Sequence, residues 1–496
     1  MKSPNLLFLF TDEQRADTMA AYGNTRIQTP NLNQLASQSI VFERAYVTQP
    51  VCTPSRASIL TGLYPHTAGC TENNVPLPAD VPCFPEMLSG GHSTHEYVTA
   101  YHGKWHLGDE IFWQHGFDEW RSIEDNYGRY YSPGRDPDAR STYHAFLIEN
   151  GFTPANGKRF GRGETTRLPE EFGKPAYLAR EASRFIRENR DRPFVLFVNF
   201  LEPHMPFFGP RDDQHDADKV TLPANIDALP TADQPLKTRL FQRGYYERGH
   251  SGLPLRTEAD WRRMIANYWG LCSLVDTHVG TILDTLAECG LDESTIVVYT
   301  SDHGDMMGSH RLLAKCVMFE EAARVPLLVR LPGQMACSRI RVPVSQIDLV
   351  PTLLDWMGQP IPEHVEGQSL RPLVEGQKDV PPRDVFVEWS GHNNGFGDMI
   401  GSVSVPEAML QLATREEIIA AITDPVRTVI TPDGWKFNCS PLGEHELYNL
   451  DEDPLETHNL ATQEELRPLV EELAGRIRRW QERTADAVAI PFQEAE

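Results

Sequence analysis

Short apolar runs that each end in acids, histidines or lysines set the rhythm of this chain. The run Asn5-Leu6-Leu7-Phe8-Leu9-Phe10 is apolar on both faces, as a strand inside a parallel sheet must be, and Thr11-Asp12-Glu13 follows at its carboxyl end. The pattern recurs at residues 95–101, which lead into His102-Gly103-Lys104-Trp105-His106, and at 193–200, which lead into Glu202-Pro203-His204-Met205-Pro206. It recurs again at 294–300, ahead of Ser301-Asp302-His303-Gly304-Asp305, and residues 325–331 give a further strand. Between these runs the period changes to that of helices. Leu32, Leu35 and Ala36 share one side of residues 29–36, residues 180–190 are amphipathic, and 258–289 carry a broad apolar stripe that includes Ile265, Trp269, Leu274 and Val279. Alternating strands and helices predict an α/β protein with a doubly wound sheet. The carboxyl edge of such a sheet is where ligands bind.

The stretch Val51-Cys52-Thr53-Pro54-Ser55-Arg56-Ala57-Ser58-Ile59-Leu60-Thr61-Gly62-Leu63 reads as a loop feeding a helix, with Pro54 in its first turn. A helix start offers unpaired N–H groups and the positive end of the dipole to Cys52, and Arg56 follows one turn later on the same face. Asp12 and Glu13 either cap the next helix or hold a cation, and Asp302 and His303 offer further ligands from another strand end. An extended backbone would point Lys104 and His106 to one side and Trp105 to the other. A lysine there neutralises an anion and a histidine moves a proton; a surface lysine beside a packed histidine would leave the same pattern. Prolines on both sides hold His204 in a stiff loop, which suits a proton donor.

Composition narrows the partners. With 496 residues the chain is too long for one small core and suits a large domain with a smaller one. A formal charge of −24 speaks against nucleic acid or an anionic membrane as partner, and it requires local cations and a metal if the substrate is an anion. There is no run of apolar residues long enough to span a bilayer, and the first residues enter a strand with no leader pattern, so a cytoplasmic location is expected, or a periplasmic one if a leader has been removed. The eight cysteines, at 52, 70, 83, 272, 289, 316, 337 and 439, form no compact framework, which fits a reducing compartment.

Cys52-Thr53-Pro54-Ser55-Arg56 resembles the signature of the type I sulfatases, members of the alkaline phosphatase superfamily whose cysteine becomes formylglycine after translation. Gly103-Lys104-Trp105-His106, Pro203-His204-Met205-Pro206 and Thr300-Ser301-Asp302-His303-Gly304 are similar to further motifs of that family, and the likeness spans nearly the whole chain. It implies a large mixed, mostly parallel sheet sandwiched by helices over residues 1–375, and a smaller C-terminal α+β subdomain with an antiparallel sheet over 376–496. It implies Asp12, Glu13, Cys52, Asp302 and His303 as ligands of one divalent metal, calcium being favoured over manganese or magnesium. Glu13 departs from the commoner Asp-Asp pair. Arg56, Lys104 and Lys315 would offset charge on the sulfuryl group, His204 with Lys315 would protonate the leaving alcohol, and His106 would act as base in releasing sulfate. His310 matches a position near the site.

The implied activity is hydrolysis of an aryl or carbohydrate sulfate ester, after a formylglycine-generating enzyme has converted Cys52. Two readings compete: a phosphonate monoester or phosphodiester hydrolase of the same superfamily, and a non-catalytic protein that binds sulfate esters. Contacts to the leaving group are expected from loops 109–170, 205–258 and 389–424, and residues 390–396 have the polar and aromatic mix that suits sugars. The aromatics of 109–190 would line a substrate pocket or cover a sheet edge, the second being favoured, and 208–258 reads as an excursion over the surface. The sequence carries no signal for oligomeric state.

Overall fold

A computed structural model describes residues 3–88, 97–377, 381–391 and 405–492. Among the described residues, nine strands form the main sheet: β1 (Asn5–Asp12), β2 (Ile40–Tyr46), β3 (Val98–Gly103), β4 (Glu119–Ser122), β5 (Phe194–Pro203), β6 (Thr295–Ser301), β7 (Arg324–Arg330), β8 (Ser338–Ile340) and β9 (Val344–Ser345). Their order is β4-β3-β5-β1-β6-β7-β2-β8, with β9 also on β2. Strands β4, β3, β5, β1 and β6 run parallel; β7 is antiparallel to both β6 and β2. The sheet is therefore mixed and mostly parallel, as expected.

Alternation along β1 explains the layers. Leu6, Phe8 and Phe10 face one core, shared with Ala57, Ile59 and Leu60 of α2 (Cys52–Thr61) and with Val350, Leu353 and Leu354 of α6 (Leu349–Trp356). Leu7 and Leu9 face the other, filled by α1 (Pro30–Ser37), α3 (Lys174–Glu188) and the long α5 (Glu258–Glu288). A strand buried on both faces is continuously apolar, and β1 is buried at every position.

Beyond the main sheet, β10 (Val385–Glu388), β11 (Arg427–Ile430), β12 (Trp435–Cys439) and β13 (Glu446–Asn449) form an antiparallel sheet in chain order. One face packs on α7 (Arg467–Thr484) through Phe386, Val429, Phe437 and Leu447 against Leu473, Ile477 and Trp480. No described helix is long and apolar enough to cross a membrane.

Residues 208–258 are not a surface excursion. Val220, Ile226 and Leu255 join a core with Trp261 and Tyr268, and α4 (Leu236–Arg248) buries Leu236, Leu240 and Phe241 beside Trp389. The density of Pro, Asp and Arg there hid apolar residues set one helical turn apart. The start of the strand expected at 95–101 and the sugar-like residues 392–396 lie outside the described residues.

Candidate active site

The carboxyl ends of β1, β3, β5 and β6 lie side by side, and the polar residues that follow them converge with the start of α2. Asp12 ends β1, Asp302 follows β6, and Cys52 opens α2; all three are fully buried, as is His303. Donor atoms of Asp12, Cys52, Asp302 and His303 lie within 4.8 Å of one another. His303 Nε2 is 3.2 Å from Cys52 Sγ. Its Nδ1 is 2.8 Å from the Gly304 carbonyl, an obligate acceptor, so the proton sits on Nδ1 and the Nε2 lone pair faces the cluster.

Arg56 organises this cluster from below. Its Nη2 lies 2.8 Å from Asp12 Oδ2, its Nε donates to Asp302 Oδ2 at 2.9 Å, and its Nη1 donates to the Lys104 carbonyl at 2.7 Å and to Asn199 Oδ1 at 2.6 Å. The whole guanidinium is occupied by protein acceptors.

Lys104 Nζ pairs with Asp12 Oδ2, and Lys315 Nζ donates to Glu13 Oε2 at 2.9 Å. Burial opposes both ammonium groups. For Lys104 the Asp12 carboxylate outweighs it, and for Lys315 Cys52 and Glu13 do, so each pKa stays above the usual lysine range. Glu13 carries a left-handed backbone (φ 71°) and lies outside the cluster of Asp12, Cys52, Asp302 and His303. It groups instead with Asp12 and His204, whose Nε2 is 3.4 Å from its Oε2. Four of the five expected ligands therefore share one cluster and Glu13 stands beside it. Burial, only partly offset by Lys315, pushes Glu13 up to about 8.

Lys104 and His106 reach the site by a turn rather than by extended alternation. Strand β3 stops at Gly103 (φ 125°), where a Cβ would sit 1.9 Å from the Asn199 carbonyl. His106 is left-handed (φ 59°), and Glu110 holds the turn by accepting from the Trp105 and His106 N–H groups at 2.9 and 2.6 Å. Trp105 fills the core beside Tyr101 and Trp120. His106 Nε2 is 3.1 Å from Asn74 Oδ1, which puts the ring proton there and leaves the buried, unpartnered Nδ1 as a base. Burial, reinforced by Lys104 and Arg56, holds His106 well below the imidazole range. His204 is likewise held neutral by burial and then by Lys315, with Nδ1 on the Met205 carbonyl at 2.8 Å. Burial followed by the Asp12 charge pushes the Cys52 thiol up to about 11, so as a cysteine it is protonated and a weak nucleophile.

His310 serves the scaffold: its two ring nitrogens lie 3.0 and 3.1 Å from the Ala228 and Leu455 carbonyls. Sequence reasoning missed Asn199, Gln346 and Glu110. Asn199 was signalled by being the one polar residue in the apolar run 193–200, and Gln346, which accepts from Ser55 Oγ at 2.9 Å, by its place in Ser345-Gln346-Ile347-Asp348. Tyr127, whose ring lies 4.7 Å from that of His106, belongs to the aromatic segment for which pocket lining was the less favoured of two readings.

A divalent cation fits these residues. Carboxylate oxygens are hard donors and the imidazole lone pair is a borderline one, and Glu13 Oε1 is buried with no hydrogen-bond partner among the described residues. Arg56, Lys104 and Lys315 at least match the charged carboxylates, Glu13 being largely protonated at neutral pH, so an added cation leaves the site positive and suited to an anion.

Residues 4–359 match the Sulfatase family, and the chain belongs to it. It is 28% identical over 470 residues to the uncharacterized sulfatase YidJ of Escherichia coli K12, covering 93% of this chain and 83% of that protein. It is 29% identical over 475 residues to the choline-sulfatase of Rhizobium meliloti, covering 92% and 82%. Among solved structures, the phosphonate monoester hydrolase SpPMH from Silicibacter pomeroyi superposes with a TM-score of 0.76 at 22% identity, over 98% of this chain and 96% of that one. At that identity the likeness is one of fold.

Proposed function

We propose that this chain hydrolyses sulfate esters of aryl alcohols or carbohydrates, with a formylglycine made from Cys52 by a formylglycine-generating enzyme and with one divalent cation, calcium foremost. The observation that carries the reading is the convergence of Cys52, Asp12, Asp302 and His303 with two lysines and two histidines. Asp12, Asp302, His303 and residue 52 would hold the cation, with Glu13 the fifth candidate. The Cys52 sulfur stands in for the oxygens of the converted residue. Hydrated formylglycine supplies an oxygen nucleophile with a second hydroxyl on the same carbon, and the cation supplies Lewis acidity.

The chain's own residues do the rest. Lys104 and Lys315 offset the charge on the sulfuryl oxygens. Arg56, with every donor engaged, is a positioning residue that acts through Asp12 and Asp302. Lys315, already an ammonium, is the ready donor to the leaving oxygen; His204 joins it at Nε2 once the arriving sulfate raises its pKa. His106 Nδ1 takes up the proton whose removal frees the sulfate. The test compares 4-nitrophenyl sulfate with 4-nitrophenyl phenylphosphonate. A higher kcat/KM on the sulfate supports the reading; turnover of the phosphonate alone overturns it.

A further inference from the structure

Beside the two histidines stands a cation that none of these steps uses. Arg162 opens the short helix Arg162–Thr165. Its Nε donates to Glu124 Oε2 at 2.5 Å and its Nη2 to the Tyr127 hydroxyl at 2.7 Å. Tyr127 in turn lies against His106, so Arg162 bridges the surroundings of both histidines. Its Nη1 is 3.5 Å from His204 Nδ1. That nitrogen cannot accept: it lies 2.8 Å from the Met205 carbonyl, which only accepts, so Nδ1 already carries a proton. Nη1 is therefore a charged donor with no acceptor among the described residues.

Charge and exposure point the same way. Glu124 is shared between Arg162 and the buried Lys174, and no described carboxylate pairs with Arg162 alone. The Arg162 side chain is 22% exposed while that of Glu124 is 1% exposed, so the guanidinium is on the open side of the pair. Clamped at two nitrogens, the guanidinium has little freedom left to lose on binding. It also lies on the Nδ1 side of His204, opposite the Nε2 that faces Glu13 and Lys315. His204 is the residue that the sulfate-ester reading sets at the leaving oxygen, so Arg162 stands next to the group that meets the alcohol and away from Glu13 and Lys315.

We infer that Arg162 reads a second anionic group, a carboxylate or a further sulfate, on the alcohol half of the substrate. The inference rests on the sulfate-ester reading, which puts His204 at the leaving oxygen. A planar guanidinium with a free donor suits an oxyanion better than a hydroxyl or a quaternary ammonium.

Two measurements test it. Calorimetric titration with 4-hydroxybenzoate and with 4-hydroxybenzyl alcohol, both in saturating inorganic sulfate, reads the alcohol site without turnover. Wild type should bind the carboxylate about tenfold tighter or more, the worth of one charged hydrogen bond. Arg162→Gln should abolish that ratio, and Arg162→Lys should keep part of it. The matching ratio of kcat/KM for 4-carboxyphenyl sulfate over 4-(hydroxymethyl)phenyl sulfate should fall in parallel in Arg162→Gln, whatever loss both esters suffer. No preference in wild type, or an unchanged ratio in Arg162→Gln, overturns the inference. If neither ester releases sulfate, the hydrolase reading fails, and the binding ratio still decides the role of Arg162.

Discussion

His303 Nε2 faces Cys52 Sγ at 3.2 Å while the opposite ring nitrogen is fixed on the Gly304 carbonyl. That orientation gives a lone pair to a cluster otherwise made of carboxylates, and it makes cation binding the first consequence to test. The protein is expected to hold one divalent ion per chain, to lose sulfatase activity on chelation, and to regain it with calcium. Asp302→Asn and His303→Ala should each bind the ion more weakly, as read by elemental analysis after dialysis. Full activity in the chelated protein would count against the site.

Arg56 is buried with its donors on Asp12, Asp302, Lys104 and Asn199. Removing one partner of a buried ion pair costs about 3–5 kcal/mol. Arg56→Ala should therefore lower the unfolding free energy by that order, and Asn199→Ala by about 1–3 kcal/mol, the cost of a buried donor left short of an acceptor. Denaturant titration reads both.

Glu110 gives stability a pH signature. Burial raises its carboxyl from 4.5 to about 7 although two backbone N–H groups favour the charge. A carboxyl raised in the folded state contributes fully below its unfolded pKa. Its contribution falls as pH rises from about 4.5 to about 7, where the unfolded chain is ionised and the native one still binds the proton. The unfolding free energy should drop across that window by up to about 3 kcal/mol from this group. Glu110→Gln should flatten the slope relative to wild type, as measured by urea unfolding at several pH values. Equal slopes would refute the assignment.

Lys315 is an ammonium in the resting protein while His204 is neutral. If both serve the leaving oxygen, Lys315→Ala and His204→Ala should cost more on esters of poor leaving groups than on 4-nitrophenyl sulfate, by about 10²-fold or more for an unactivated alcohol. A loss independent of leaving-group pKa would assign them to binding instead.

What could be read from the sequence depended on how local the signal was. Strand β1 and its acids were legible because a doubly buried strand must be continuously apolar, and the Cys52 helix because its signature lies within five residues. The Lys104–His106 turn was misread as extended, since its cause is Gly103 meeting Asn199, nearly a hundred residues away. The Arg162–Glu124–Lys174 network was invisible for the same reason: each member is an ordinary charged residue until the fold brings the three together. Residues 208–258 misled through composition, because their buried positions are sparse and set among prolines and acids.

The central claim is the conversion of Cys52, and the mass of its tryptic peptide tests it most directly, from protein made together with a formylglycine-generating enzyme. The account predicts a loss of about 18 Da at residue 52, sulfur replaced by aldehyde oxygen, in step with calcium-dependent release of sulfate from an aryl ester. A fully active preparation in which Cys52 keeps its thiol mass would contradict it.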